Sequence, residues 1–247
     1  IGTPIDQDYD QKNRLLFVVR EDGKFATLTV FRAEKVSAWT LHETNGLVKS
    51  VAVVGDEVYM LVLRDGDYFI EQFDAALNLD SALSGQVGSP ATVWSGLDHL
   101  EDQEVSIVAD GVVIPDQTVL GGSVTLSEPA AAVQIGLAYT HIIEPLPPNE
   151  VGKVGAGRKL RLVEAIFRLK DTASLRLDVG RGLKDVSLKD FGDTITLGDP
   201  NPLVSGDVRV RSLGWQKQGV TPLWRIEQSL PLPFTLLSVA TEIKVND

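Results

Sequence analysis

Alternation of apolar and polar positions dominates the first 80 residues of the chain. Segments 15–19, 25–31, 36–42, 48–54, 58–64 and 68–73 are short runs rich in Val, Phe, Tyr, Thr and Leu, as half-buried strands are. Between them stand "EDGK", "AEK", "TNG", "GDE" and "RDGD". Their Asp-Gly and Asn-Gly steps supply the positive φ that tight hairpins demand. The spacing predicts an antiparallel meander, propeller-blade-like, of the kind that also builds up-and-down sheets.

A small, polar stretch, "DSALSGQVGSP" at 80–90, reads as a linker. After it, 105–109, 112–115, 117–120, 123–126 and 131–139 read as about five strands joined by Asp110-Gly111, Pro115-Asp116 and Gly121-Gly122. They predict a small β-barrel-like module, ended by the prolines of "EPLPPNEVG". Segment 158–180 fits either an amphipathic helix or two strands around Asp171-Thr172, and the alternation of Leu160 and Leu162 with Arg161 and Val163 favours strands. Runs at 208–213, 222–228 and 234–245 read as strands again. The expected fold class is therefore all-β. An antiparallel meander over 1–86 would be completed by 207–247, a barrel-like module at 92–147 would be inserted, and 148–206 would supply a connector and further strands. The final run, 234–245, is long, apolar and entered through "PLP", so it is expected to pair with the N-terminal meander. No self-similar repeat marks a complete propeller.

Composition narrows the function classes. No cysteine is present, which removes disulfides, thiolate metal sites and cysteine nucleophiles together. No apolar run reaches the roughly 18 residues of a transmembrane helix, so no membrane-spanning segment is expected. The formal charge is −11, which argues against a basic groove for nucleic acid. A chain that opens at Ile1 and holds its single methionine at Met60 reads as processed, or as a piece of something longer.

The richest chemical stretch is 96–126, with six carboxylates, His99 and neither lysine nor arginine. Within it Asp98, His99, Glu101, Asp102 and Glu104 lack the order of acids, central glycine and closing glutamate of a calcium loop, so a solvated turn before a strand is the expected reading. "GGS" at 121–123 is not a nucleophile elbow, and His42, His99 and His141 stand near no recognisable serine motif. "VGKVGAGRK" at 151–159 lacks the phosphate-loop order and reads as a connector. Trp39, Trp94, Trp215 and Trp224, with Tyr59, Tyr68 and Tyr139, could stack sugars, but such residues ordinarily fill cores or interfaces. Arg20, Arg32 and Arg64 are expected to pair with Asp22, Glu34 and Asp65. No catalytic, cofactor-binding or metal residue is assigned, and the chain is expected not to be an enzyme.

Two stretches carry a resemblance. "REDGKFATLTVFRAEKVSAWTLHETNGLVKSVAVV" and "DEVYMLVLRDGDYFIEQFD" resemble the C-terminal half of tail nozzle proteins, or tail tubular protein B, of short-tailed phages and prophages. The matching positions are Arg20, Asp22, Gly23, Leu28, Val36, Ala38, Trp39, His42, Thr44, Gly46, Asp56, Val58, Tyr59, Ile70 and Glu71. Residues 94–126 resemble the family's inserted small barrel, and "SGDVRVRSLGW" with "SLPLPFTLLSVATEIKV" its closing strands. The resemblance implies a non-catalytic virion protein made in the host cytoplasm, forming a homo-oligomeric ring with other tail proteins. DNA would pass through that ring without specific binding, and His42 would be a cross-strand partner near Trp39. The rival expectation is a carbohydrate-binding or polysaccharide-degrading module of a virion or secreted protein.

Overall fold

The computed structural model describes residues 2–31, 36–148, 159–188, 199–211, 215–217 and 222–245. Among these, regular structure is almost entirely antiparallel strand, which makes the protein all-β. No helix of the described residues is long and apolar enough to cross a membrane. The chain divides into two compact units, Ile1–Ala82 and Leu83–Asp247.

In the first unit, β1 (Pro4–Asp10), β2 (Leu15–Arg20), β3 (Phe25–Phe31) and β4 (Val36–His42) form one sheet in sequence order. A second sheet holds β5 (Leu47–Val54), β6 (Glu57–Arg64) and β7 (Asp67–Gln72). The six runs read from the sequence coincide with β2 to β7 to within a residue at each end, because alternation and turn chemistry agree there. At the β6–β7 turn, Asp65 (φ 48°) and Gly66 (φ 98°) are both left-handed between the paired Arg64 and Asp67, a tight two-residue loop. The sheets share a core of Phe17, Val19 and Phe25 against Val48, Val51, Val58, Met60 and Val62. Each such side chain, fully buried, contributes about 1.5–3 kcal/mol.

The seventh strand of this unit, β1, has an inverted pattern that conceals it. Its large apolar side chains, Ile5 and Tyr9, are exposed, while Asp6, Asp8 and Asp10 alternate on the inner side. Asp6 accepts from Ser50 Oγ (2.5 Å) and the Val51 N–H (3.0 Å), and Asp8 accepts from the Val53 N–H (2.7 Å). The Val48 N–H donates to the Gly23 carbonyl (2.8 Å). The outer edge of β5 thus has its donors at 48, 51 and 53 occupied.

In the second unit, one sheet has the order β10-β9-β11-β8, from β8 (Asp80–Ser95), β9 (Glu104–Ala109), β10 (Val112–Thr118) and β11 (Ser123–Leu137). Its core runs from Trp94 to Leu137. A second sheet orders β12 (His141–Ile143), β18 (Arg225–Gln228), β14 (Arg176–Asp178) and β15 (Lys184–Asp185). In a third, β13 (Lys159–Thr172) lies between β16 (Val204–Arg211) and β17 (Trp215–Lys217), and also pairs with β19 (Leu236–Val245). Leu162, Ala165, Phe167, Leu169, Leu175, Leu177, Trp224 and Ile226 form the core under these last two sheets.

Four expectations change. The supposed linker at 80–90 lies within strand β8. That strand folds back on itself: the Trp94 ring covers Gly85, where a Cβ would come within 2.6 Å, although nine residues of straight strand span roughly 30 Å. The pairs of short strands at 112–120 and 123–139 are single strands, β10 and β11, with a register shift between Ile114 and Gln117 in place of a turn. The final run does not pair with the N-terminal meander. Its backbone partners lie on β13, from Leu160 opposite Val245 to Leu169 opposite Leu236, and β16 to β18 likewise find their partners within the second unit. The apolar alternation of β13 and β19 is mutually complementary, with Phe167 opposite Val239 and Leu162 opposite Ile243, and this decides the pairing. Finally, Arg64 pairs with Glu71 and Asp80, while Asp65 is taken up as a left-handed residue of the β6–β7 turn. Arg20 does meet Asp22 (2.6 Å). Arg32 and Glu34, and residues 151–158 of the "VGKVGAGRK" connector, lie outside the described residues.

Candidate functional site

The acidic segment folds as a clamp between two turns. Asp98–Leu100 is a single 3-10 turn anchored by buried Leu97 and Leu100, and Glu101 follows it. The Glu101 carboxylate accepts from the N–H groups of Gly121 (2.8 Å) and Gly122 (2.7 Å), and these bonds hold its pKa below the usual range. Gly122 is left-handed (φ 64°), a conformation that favours glycine, and a Cβ there would lie 2.4 Å from Asp98 Oδ1, so any side chain at this position would push the Asp98 carboxylate aside. At the far end of β9, Asp110 accepts from the Ala131 and Ala132 N–H groups. Asp116 accepts from Ser106 Oγ (2.7 Å). Of the six carboxylates at 96–126, Glu101, Asp110 and Asp116 are thus spent on local hydrogen bonds. Among the described residues no group of three or more His, Asp or Glu side chains converges as a metal site.

The histidines stand in separate surroundings. His42 stacks on Phe25 (ring centroids 4.6 Å apart), its partner across the β3–β4 pair, and its Nε2 lies 2.9 Å from Thr27 Oγ1. Trp39, the expected neighbour, pairs instead with Leu28. His141 stacks on Phe234 (5.2 Å). Burial lowers the pKa of both rings, which favours the neutral form.

Arg64 is the most strongly engaged charge in the first unit. Its side chain is 5% exposed and reaches Glu71 (2.6 and 2.8 Å), Asp80 (3.1 Å), Thr44 Oγ1 (2.7 Å) and the Asn45 carbonyl (2.5 Å). Burial alone would lower its pKa, but the bonds and charges of Glu71 and Asp80 outweigh it and raise the value. Asp80 also accepts from Thr44 Oγ1 and the Asn45 N–H, so one network ties the β4–β5 and β6–β7 segments to the end of the unit.

The surface that stands out is the outer face of the four-stranded sheet. Register places Tyr9, Leu16, Leu28 and Trp39 side by side in one row across β1, β2, β3 and β4. Three gaps between strands make this row about 14 Å wide. Its ends are open: Tyr9 is 46% and Trp39 47% exposed, and Leu41 beside Trp39 is 50% exposed. β4 is a terminal strand, exposed from Val36 to Leu41 on both faces. A long apolar edge of this kind is a template for pairing with another chain. The other tryptophans differ: Trp94 and Trp224 are buried in cores, and the Trp215 side chain lies outside the described residues. Tyr59 is tied to Glu57, Tyr68 is exposed on β7, and Tyr139 lies near the ring of His141.

No protein-family model matches the chain, and no curated protein is similar to it.

Proposed function

We propose that this chain is a non-catalytic structural subunit of a phage tail, one copy of a ring in the nozzle or tail tube through which DNA leaves the capsid. The observation that carries the reading is the Tyr9–Leu16–Leu28–Trp39 row, running out to the open edge of β4. A surface like this costs solubility unless a neighbouring subunit covers it. Two further observations support the reading. Glu101 and Asp110 brace turns and Asp116 bonds Ser106, and the chain's charge of −11 would keep DNA from adsorbing to a channel wall. Residues 20–46 and 56–71 carry the resemblance to tail nozzle proteins.

The rival, a carbohydrate-binding surface, is less well served by the same row. Sugars require hydrogen-bonding groups around a stacking ring, and Trp39 is bordered by Leu28 and Leu41. The experiment is sedimentation of the purified chain with imaging of its assemblies. Ring-like oligomers are expected, and Trp39→Ser should weaken them at least tenfold, since a central aromatic is worth about 2 kcal/mol or more in an interface. A chain that stays monomeric up to ~100 μM, or one that binds polysaccharide through Trp39, would overturn the proposal.

A further inference from the structure

The third sheet of the second unit presents a basic face within an acidic chain. Register and alternation place Arg161, Arg168 and Lys170 of β13, Arg209 and Arg211 of β16 and Lys244 of β19 on its outer side. The acids there are Glu164, Asp207 and Glu242, with Asp171 at the rim, so six bases meet four acids and the face is locally +2 while the chain is −11. Its pairing is uneven. Arg168 and Asp207 neutralise one another (2.8 Å) beside a shallow recess of about 420 Å³. Arg209 and Arg211, in contrast, share the single carboxylate of Glu164, at 3.8 and 3.4 Å, with side chains 67% and 84% exposed. Two positions apart on one strand, these guanidinium groups stem from points roughly 7 Å apart.

The complementary surface is the acidic turn. Asp98, Glu101, Asp102 and Glu104 are all exposed, and residues 96–126 contain no lysine or arginine. Only Glu101 of these four is engaged by the Gly121 and Gly122 N–H groups. The turn lies at the end of β9 opposite the Asp110-Gly111 loop, and it is the Asp110-Gly111 loop that approaches Pro200, ahead of β16. Within one chain, Arg168, Arg209 and Arg211 find their acids on β13 and β16 themselves.

We infer that the Arg209/Arg211 face of one copy receives the Asp98–Glu104 turn of a second copy. Because two different patches meet, the contact is head-to-tail, and a closing rotation turns such a contact into a ring. The inference rests on the assembly reading above and adds the electrostatic half of the contact. Charge pairs at an interface fix register and speed encounter, and they weaken with salt.

The test is sedimentation velocity on the full chain with two charge-reversed variants, R209E/R211E and D98K/E104K. Association of the parent is expected to weaken about tenfold or more as salt rises from roughly 50 to 500 mM. Each variant alone should fail to associate while keeping the parent's circular dichroism, and an equimolar mixture of the two should associate again, since both the reversed and the original pairings are then available. R209E/R211E associating like the parent overturns the inference. So does assembly that is indifferent to salt and lost only in Trp39→Ser, which leaves the assembly reading intact. Loss of duplex DNA binding in R209E/R211E, with self-association unchanged, would make the face a phosphate site and overturn it as well. A parent chain that never associates sinks the assembly reading itself.

Discussion

Replacing Arg64 with methionine should be the most damaging single change in the first unit. The side chain keeps its apolar stem but loses every bond to Glu71, Asp80, Thr44 and the Asn45 carbonyl. Removing one partner of a buried ion pair costs about 3–5 kcal/mol, because the partner charges stay behind uncompensated. Here Glu71 and Asp80 keep 25% and 20% side-chain exposure, so water softens the penalty. The lower end, about 3 kcal/mol, is expected. For a unit of this size each kcal/mol shifts the midpoint by about 4–8 °C, so Arg64→Met should lower it by roughly 12–24 °C. Thermal unfolding of the full chain gives the midpoint, and hydrogen exchange at β5 to β7 assigns the loss to the first unit. Adding Glu71→Gln and Asp80→Asn to the Arg64→Met background should recover about half of the loss, since the stranded charges are then gone. A loss below about 1 kcal/mol for Arg64→Met alone would show that the network behaves as an ordinary surface pair, and the reasoning would fail.

Acidification should loosen β1 first. The pKa of Asp6 is lowered by its bonds to Ser50 and Val51, and that of Asp10 is lowered because the bonds from Asn13 and Lys12 outweigh its burial. A carboxylate with a depressed folded pKa contributes stability that is present above its unfolded value and is lost as pH falls through the folded one. Exchange protection at Val51 should therefore drop on acidification below the ordinary aspartate range, and Asp6→Asn should flatten that dependence; protection that ignores pH would refute it. Gly122→Ala should cost about 1–3 kcal/mol through its left-handed backbone and its collision with Asp98, with Asp98→Ala relieving part of the cost, as thermal midpoints would report. Excess EDTA should leave the midpoint unchanged, because Glu101 is bonded to backbone N–H groups; a drop of many degrees would return the acidic turn to the list of metal sites.

Most of the first unit was legible in the sequence, for a physical reason. From β2 to β7, alternation, β-branched composition and Asp-Gly turns point to the same registers. β1 was hidden because its inward positions are aspartates that satisfy backbone donors, a pattern that hydropathy reads as a polar loop. β8 was hidden because Gly85, Gly88 and Pro90 serve a sharp bend inside a strand, where the same residues usually end one. The partner of the final run could not be read from its own sequence, since any long apolar strand would satisfy it; the choice depends on the matching face of β13. At the candidate surface, the alternation of β4 was visible, but the row it completes with Tyr9 needed the register of four strands at once.

The treatment of β5 and β4 gives the first unit a direction of growth. Along β5, Gly23, Asp6 and Asp8 occupy the donors that an incoming strand would need, so that side is sterile to recruitment. At β4 the row of backbone groups is left open beside Trp39 and Leu41. Of these two edges, an incoming strand therefore finds open backbone groups at β4 and not at β5, which biases contact between copies toward the Trp39 margin. Replacing Asp6 and Asp8 would free the Val51 and Val53 donors and remove that bias.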